Sequence, residues 1–332
     1  MGWGASAPEH GQPGQESHMK ISQVVGPRTS EVVEAPDPVP GDDQVLVEVV
    51  ASGVCTSDLG PWLGHDPANA PVRLGHEMVG RVVAAGRDAD RWRPGDLVTG
   101  LGGEGFATLA VMDGHAILPV PDGIEPAHAI GEPVADLEEA LSRTGVAAGD
   151  RVAVVGLGFM GLGLVQLARR HAPGLLVGVD PDPARRARAL RLGADLAFAP
   201  GELPEEFRTG TDRRTEARLD VVLEATGVTA GLRTAGSLVR PFGRLCVVGY
   251  HHTGDAMMDM DLWYKAVTIV NGFCPDRTRL MAAMREVLDL VAQRRFSYAP
   301  LVTHRFALDQ VDEAFAAMHA GAADFVKAVV LP

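Results

Sequence analysis

Residues 151–161 read RVAVVGLGFMG, an apolar run that passes straight into Gly156, Gly158 and Gly161 at G-x-G-x-x-G spacing. Few patterns restrict a fold more. The run RVAVV suits a strand covered on both faces, and Gly161 to His171 suits an amphipathic helix. Strand, glycine turn and helix together open a βαβ unit. Gly156 permits the tight turn, Gly158 lets the backbone approach a pyrophosphate, and Gly161 allows close helix–strand packing. Leu157, Phe159 and Met160 fill the intervening positions. The helix start offers unpaired N–H groups and a positive dipole end to phosphates. Arg169, Arg170 and His171 lie at the other end, where the dipole favours cations. In a chain with 39 glycines the motif alone is weak. Here the next strand-like run, LLVGVD, ends in Asp180, placed to accept both hydroxyl hydrogen bonds of a ribose. The same charge repels a 2′-phosphate, so NAD is expected rather than NADP. The competing reading is a glycine-rich turn without cofactor, with Asp180 a helix cap before Pro181.

Strand and helix signals then alternate. Strands are expected at 151–155, 175–179, 219–224, 244–248 and 267–270, with helices at 161–171, 183–192, 228–239 and 277–294. Alternation of this kind implies a doubly wound parallel sheet with right-handed crossovers, an α/β fold. Thr226 and Gly249 fall at the carboxyl ends of two of these strands, where a nucleotide cleft forms, although structural turns explain both equally well.

Upstream, from Ile21 to about Leu118, short β-type runs (44–51, 79–85, 96–99) are separated by turn residues such as Pro94-Gly95-Asp96. This predicts a loop-rich antiparallel β domain. A helix is expected at 133–144. The end of the chain returns to strand–helix–strand character, with a helix from Val311 to Met318 capped by Asp309 and ended by Gly321. The expected organisation is a tail at 1–18, a β domain at 19–133 and 273–332, and a nucleotide-binding domain inserted at 134–272.

Composition narrows the function classes. With 332 residues, 46% hydrophobic and 22% charged, the chain is an ordinary globular sequence of two-domain length. A formal net charge of -13 disfavours nucleic acid and anionic membrane partners. No apolar run reaches the roughly 20 residues of a membrane helix, and residues 1–18 lack a signal-peptide core. Three scattered cysteines (Cys55, Cys246, Cys274) make no disulfide framework, which fits a reducing cytoplasm.

Three further segments carry metal-ligand chemistry: Cys55 in GVCTSD, His76 and Glu77 in LGHEMVG, and Glu132 in IGEPVA. A thiolate, an imidazole and a carboxylate can hold Zn²⁺ tetrahedrally with one position left for substrate. Singly, Cys55 reads as a buried small hydrophobe, His76 as a structural histidine and Glu77 as a solvated charge. Only a fold that joins them makes a site.

GVCTSD, LGHEMVGRVVAAG with RPGDLV, GEPVA and VAVVGLGFMG occur in this order in a chain that resembles the zinc-dependent medium-chain dehydrogenases, over Lys20 to Pro332. Within them it is similar to the polyol and sorbitol dehydrogenase branch, with threonine dehydrogenases nearby. The resemblance implies a GroES-like β catalytic domain plus a Rossmann domain. It implies one catalytic zinc on Cys55, His76 and Glu132, with Glu77 as a fourth or alternating ligand. Because neighbouring side chains on a strand point to opposite faces, His76 and Glu77 are not expected to bind together in regular geometry. Asp58 is expected to accept the free N–H of His76. A structural zinc is not expected, since Leu97 to Leu109 contains no cysteine. Ser57 matches a proton-passing hydroxyl, and Gly60 stands where a relay histidine is usual, which leaves ribose hydroxyl and water, or His65, for the task. Trp62 and Phe106 read as packing residues before pocket lining. The implied activity is NAD-linked interconversion of a secondary alcohol (polyol, sugar or cyclitol) and its ketone. Threonine or simple secondary-alcohol oxidation is the alternative on the same site. A non-catalytic nucleotide-binding protein is the alternative of another class. The edge-strand segment 267–270 implies a homodimer or homotetramer.

Overall fold

In the computed structural model, which describes residues 18–65, 71–207, 218–251, 260–321 and 324–332, the chain opens on an antiparallel hairpin. Its strands are β1 (His18–Gly26) and β2 (Thr29–Pro36). The expected tail therefore yields His18 to a strand, and residues 1–17 lie outside the described residues. In β3 (Gln44–Gly53) Val45, Val47, Val49 and Ala51 turn inward, the period of two that a half-covered sheet requires. A short helix, α1 (Leu59–Leu63), precedes β4 (Val72–Arg73), β5 (Glu77–Ala85), β6 (Leu97–Gly100), β7 (Leu109–Asp113) and β8 (Ile117–Pro119).

Helix α2 (Gly131–Thr144) starts two residues earlier than expected and ends at Gly145, whose positive φ of 69° closes it in the left-handed cap. Strand–helix alternation follows: β9 (Arg151–Val155), α3 (Phe159–Arg169), β10 (Leu175–Val179), α4 (Pro183–Arg191), β11 (Leu196–Phe198), β12 (Leu219–Glu224), α5 (Thr229–Leu238) and β13 (Val239–Val247). Then come α6 (Met260–Tyr264), β14 (Thr268–Asn271), α7 (Arg277–Ala292), β15 (Val302–Ala307), α8 (Val311–Ala320) and β16 (Lys327–Leu331).

The alternating part forms a six-stranded parallel sheet in the order β11-β10-β9-β12-β13-β14. Chain direction across the sheet reverses between β9 and β12, and a crevice opens at the strands' carboxyl ends there. The other large sheet has seven strands, β15-β16-β3-β5-β6-β8 with β7 on β3. It is mixed rather than purely antiparallel, because β15 and β16 are parallel and joined through α8. Antiparallel pairing of β16 with β3 brings the chain's end back to the strand that precedes Cys55.

One local expectation changes, and another, packing by Trp62 and Phe106, holds. Asp309 does not cap α8: the N-cap is Gln310, whose Oε1 accepts the Ala307 N–H at 3.0 Å, while Gly321 ends the helix at φ 63°. Trp62 and Phe106 are core residues on Phe315, with ring centroids 5.5 and 5.9 Å away, and Trp62 Nε1 donates to Asp312 at 2.8 Å. Among the described residues no helix is long and apolar enough to cross a membrane.

Candidate active site

Cys55 leaves the end of β3, where the Val54 N–H donates to the Ala328 carbonyl of β16 at 3.0 Å. A 3-10 turn at Thr56–Asp58 then folds Asp58 back, so that its Oδ1 lies 3.4 Å from His76 Nδ1. That contact fixes the imidazole and leaves Nε2 as its ligand face. Ser57 Oγ donates to Cys55 Sγ at 3.2 Å. His76 sits just before β5, and Gly75 ahead of it has φ 96°. His76 therefore lies outside the regular strand, which opens only at Glu77, and strict side-chain alternation does not govern the pair. One ligand atom from each of Cys55, His76 and Glu77 falls within 4.8 Å of the others, contrary to the strand argument.

Glu132 is outside that group of three. It occupies the first turn of α2, whose start is pinned twice. Gly131 N–H donates to Thr99 Oγ1 at 3.0 Å, and the Tyr298 hydroxyl donates to the Ile130 carbonyl. Burial raises the Glu132 carboxyl above its usual range, and the negative charge of Glu77 adds to the effect. Asp136, one turn along, is raised to about 6 by burial and by Glu139 and Glu77.

Two groups at this site had no signal in the local sequence. Lys327, at the start of β16, donates from Nζ to Glu77 Oε1 at 2.7 Å and lies 2.6 Å from Oε2. Burial would lower its pKa, but Glu77, Cys55 and Glu132 raise it. The same Nζ stands 4.6 Å from the centroid of the Phe159 ring in the glycine-rich loop. Gly53 is the second. A Cβ there would fall 1.9 Å from Glu77 Oε2, so only glycine leaves room for the carboxylate beside β3.

The donor set tests for a metal. Asp58 Oδ2 is buried without a hydrogen-bond partner. Burial alone would lower the pKa of His76, yet hydrogen bonds and charge from Asp58 and Cys55 raise it to about 11. A thiol, an imidazole and converging carboxylates are the donors that a divalent cation of mixed sulfur, nitrogen and oxygen preference takes, and zinc fits.

The glycine-rich loop lies at the carboxyl end of β9. Gly156 has φ 90°, and a Cβ on it would meet Thr226 Cγ2 at 2.7 Å. Around Gly158 nothing lies within 4 Å of a Cβ position, which leaves the backbone open to a ligand. At Gly161 a Cβ would stand 1.7 Å from the Gly156 carbonyl. Leu157 is buried and gives its N–H to Asp180 Oδ2 at 2.8 Å, while Asp180 Oδ1 accepts from Asp182 N at 2.8 Å. Asp180 thus ties the loop to the end of β10. The cap of α4 is Asp182, which accepts from Ala184 N at 2.7 Å. Phe159 and Met160 open α3. Thr226 turns its hydroxyl to Glu224, and Gly249 N–H donates to the Glu224 carbonyl at 3.0 Å.

Comparison with known proteins agrees with this geometry. Residues 41–122 match the alcohol dehydrogenase GroES-like domain, and residues 160–293 match the zinc-binding dehydrogenases. A sorbitol dehydrogenase of Halalkalibacterium halodurans is 28% identical over 91% of this chain and 95% of its own length. A probable zinc-binding alcohol dehydrogenase of Mycobacterium tuberculosis is 32% identical over 70% of this chain and 68% of its own. The crystal structure of a putative zinc-binding dehydrogenase from Sinorhizobium meliloti, bound to NADP, superimposes with a TM-score of 0.83. It is 25% identical, and the match covers 95% of this chain and all of that one (100%). The chain belongs to the zinc-containing medium-chain alcohol and polyol dehydrogenase family and is an oxidoreductase of that family.

Proposed function

We propose that this protein interconverts a hydroxyl-rich secondary alcohol and its ketone, with NAD as hydride acceptor. The observation that carries the reading is the convergence of Cys55, His76 and Glu77 at the mouth of β3 and β5, one lysine away from the glycine-rich loop. Cys55, His76 and Glu132 would hold the zinc, with Glu77 exchanging between it and Lys327. Bound there, zinc supplies a Lewis acid that polarises the substrate oxygen.

The chain's own residues do the rest. Asp58 fixes the His76 ring at 3.4 Å. Ser57 is exposed, touches Cys55 Sγ at 3.2 Å, and takes the substrate's hydroxyl proton outward. A Cβ on Gly60 would point to His65 Nδ1 at 3.8 Å, so the His65 ring stands beside the position left by the missing relay side chain. We assign it the next step of proton release. Asp180 sits where the adenosine ribose lies, and its carboxylate disfavours a 2′-phosphate. Gly156, Gly158 and Gly161 admit the pyrophosphate to the start of α3, with Thr226 and Gly249 walling the far side.

The remaining assignments follow the same reading. The domains divide at 19–133, 134–272 and 273–332, and the protein acts in the cytoplasm. Threonine and simple secondary alcohols are the competing substrates. Chains pair through the β14 edge, where Ile269, Trp263, Tyr264 and Phe273 are all exposed. Ile269→Lys is expected to give a smaller particle by light scattering, and an unchanged mass would remove that interface.

The main test is metal analysis of the purified protein with an NAD-reduction screen of polyols, cyclitols, threonine and simple alcohols. We expect about one zinc per chain and loss of both zinc and turnover in Glu132→Ala. Metal-replete preparations that hold no zinc would sink the mechanism.

A further inference from the structure

Glu224, the last residue of β12, is fully buried, yet its carboxylate faces no lysine or arginine among its hydrogen-bond partners in the described residues. Its Oε1 accepts the N–H groups of Thr226 at 2.6 Å and Gly227 at 3.2 Å, and the Thr226 hydroxyl as well. Its backbone carbonyl accepts from Val248 at 2.8 Å and from Gly249 at 3.0 Å. Oε2 faces His251 Nε2 at 3.2 Å, with the His251 side chain 10% exposed. A carboxylate can only accept, so Nε2 carries the hydrogen in this pair.

One residue therefore holds two loops, the turn after β12 and the segment after β13. Those loops interlock with no slack. A Cβ on Gly249 would fall 2.3 Å from Gly227 N, and one on Gly227, at φ 68°, would fall 2.5 Å from the Tyr250 carbonyl. Both loops end strands on the β12 side of the switch point, whereas Asp180 ends β10 on the other side. A dinucleotide lying across that crevice puts its adenosine half over β10, and its nicotinamide half over β12 and β13.

We propose that His251 is a positioning residue for the nicotinamide half of the cofactor, acting through the Glu224 carboxylate. The proposal rests on the nucleotide reading of this cleft. Without the imidazole, Oε2 keeps its charge in a buried place with no donor from the β13 side. The 248–251 segment then loses its side-chain tie to Glu224 and keeps the main-chain bonds of Val248 and Gly249 to the Glu224 carbonyl, and the wall of the nicotinamide subsite loosens. The adenosine subsite, set by Asp180 and the glycine-rich loop, is untouched.

The test is calorimetric binding of NADH and of ADP-ribose, which lacks the nicotinamide ring, to the zinc-loaded full chain. For His251→Ala we expect NADH to weaken about tenfold while ADP-ribose stays within about twofold. His251→Gln keeps an amide donor of similar reach and should recover NADH binding to within about threefold of the wild type. Should the alanine variant not fold, His251→Asn, polar but too short to reach Glu224, makes the same comparison. Parallel losses for both ligands, no loss for either, or a glutamine variant as weak as the alanine one would overturn the role of His251. A wild-type chain that binds neither ligand would remove the nucleotide reading itself, and this proposal with it.

Discussion

Methionine in place of Lys327 removes the ammonium that straddles Glu77 while keeping most of the side-chain length. Nζ lies 2.7 and 2.6 Å from the two carboxylate oxygens, and the residues are 5% and 0% exposed. At an effective dielectric of about 20, unit charges this close attract by about 6 kcal/mol, much of which desolvation cancels. Breaking such a buried pair by removing one partner costs about 3–5 kcal/mol, because the remaining charge is left uncompensated. Against a total stability of about 5–15 kcal/mol this is a large share, and for a chain of this size the melting temperature should fall by about 4–7 °C. The assay is a set of melts on wild type, Lys327→Met, Glu77→Gln and the double variant, all stripped of metal by chelator so that nothing else competes for Glu77. If the loss belongs to the orphaned carboxylate, adding Glu77→Gln to Lys327→Met restores at least about half of it. Strict additivity in the cycle would refute the reasoning, and Lys327 would then matter for its packing on Phe159 instead.

Three other outcomes follow from single contacts. Ser57→Ala should lower kcat about 100-fold with zinc content and NADH affinity intact, and His65→Ala should displace the pH–rate profile; a Ser57→Ala enzyme of normal kcat would remove the hydroxyl from the proton path. In Gly161→Ala the new Cβ would meet the Gly156 carbonyl at 1.7 Å, so the loop must open. NADH binding, followed by fluorescence, should weaken more than about tenfold at unchanged zinc stoichiometry, as expected where helix and strand must pack closely.

Much of this fold is legible because its signals are local. Period-two apolar positions such as Val45, Val47 and Val49 announce a half-covered strand, and near-continuous apolar runs such as RVAVV announce a strand covered twice. Glycines 156, 158 and 161 carry their geometry in their spacing. Helix ends are less legible. Asp309 looked like a cap, but Gln310 reaches back to Ala307 and takes the place. The alternation argument that set His76 apart from Glu77 reaches its limit for an equally local reason: β5 opens only at Glu77, so His76 lies outside the regular strand, and the ligand atoms of the two fall within 4.8 Å. What the sequence hides is pairing at a distance. Lys327 and Glu77 are 250 positions apart, and only the antiparallel contact of β16 with β3 brings them together. Gly53 gives no hint either, since its role is to leave room for a side chain on the neighbouring strand. The Glu224–His251 contact spans 27 positions and joins two loops that look like ordinary turns.

These distant contacts decide the electrostatics, and the electrostatics decide what the site can hold. Cys55, Asp58, Glu77 and Glu132 bring acidic groups from β3, β5 and α2 into one region, against a single buried ammonium. The side chains respond in the direction that charge balance demands. His76 is driven up to about 11, burial and Glu77 push the Glu132 carboxyl upward, and Asp136 reaches about 6. Each shift favours a proton where a cation would serve better. Lys327 bonds directly to Glu77 and reaches Cys55 and Glu132 only through its charge. A divalent ion on the thiol, the imidazole and a carboxylate would relieve the whole cluster at once, and a sulfur and nitrogen donor set would select zinc over magnesium or calcium. The charge deficit also explains the placement of Lys327 beneath Phe159. An ammonium fixed between the acidic cluster and the glycine-rich loop makes one wall common to both.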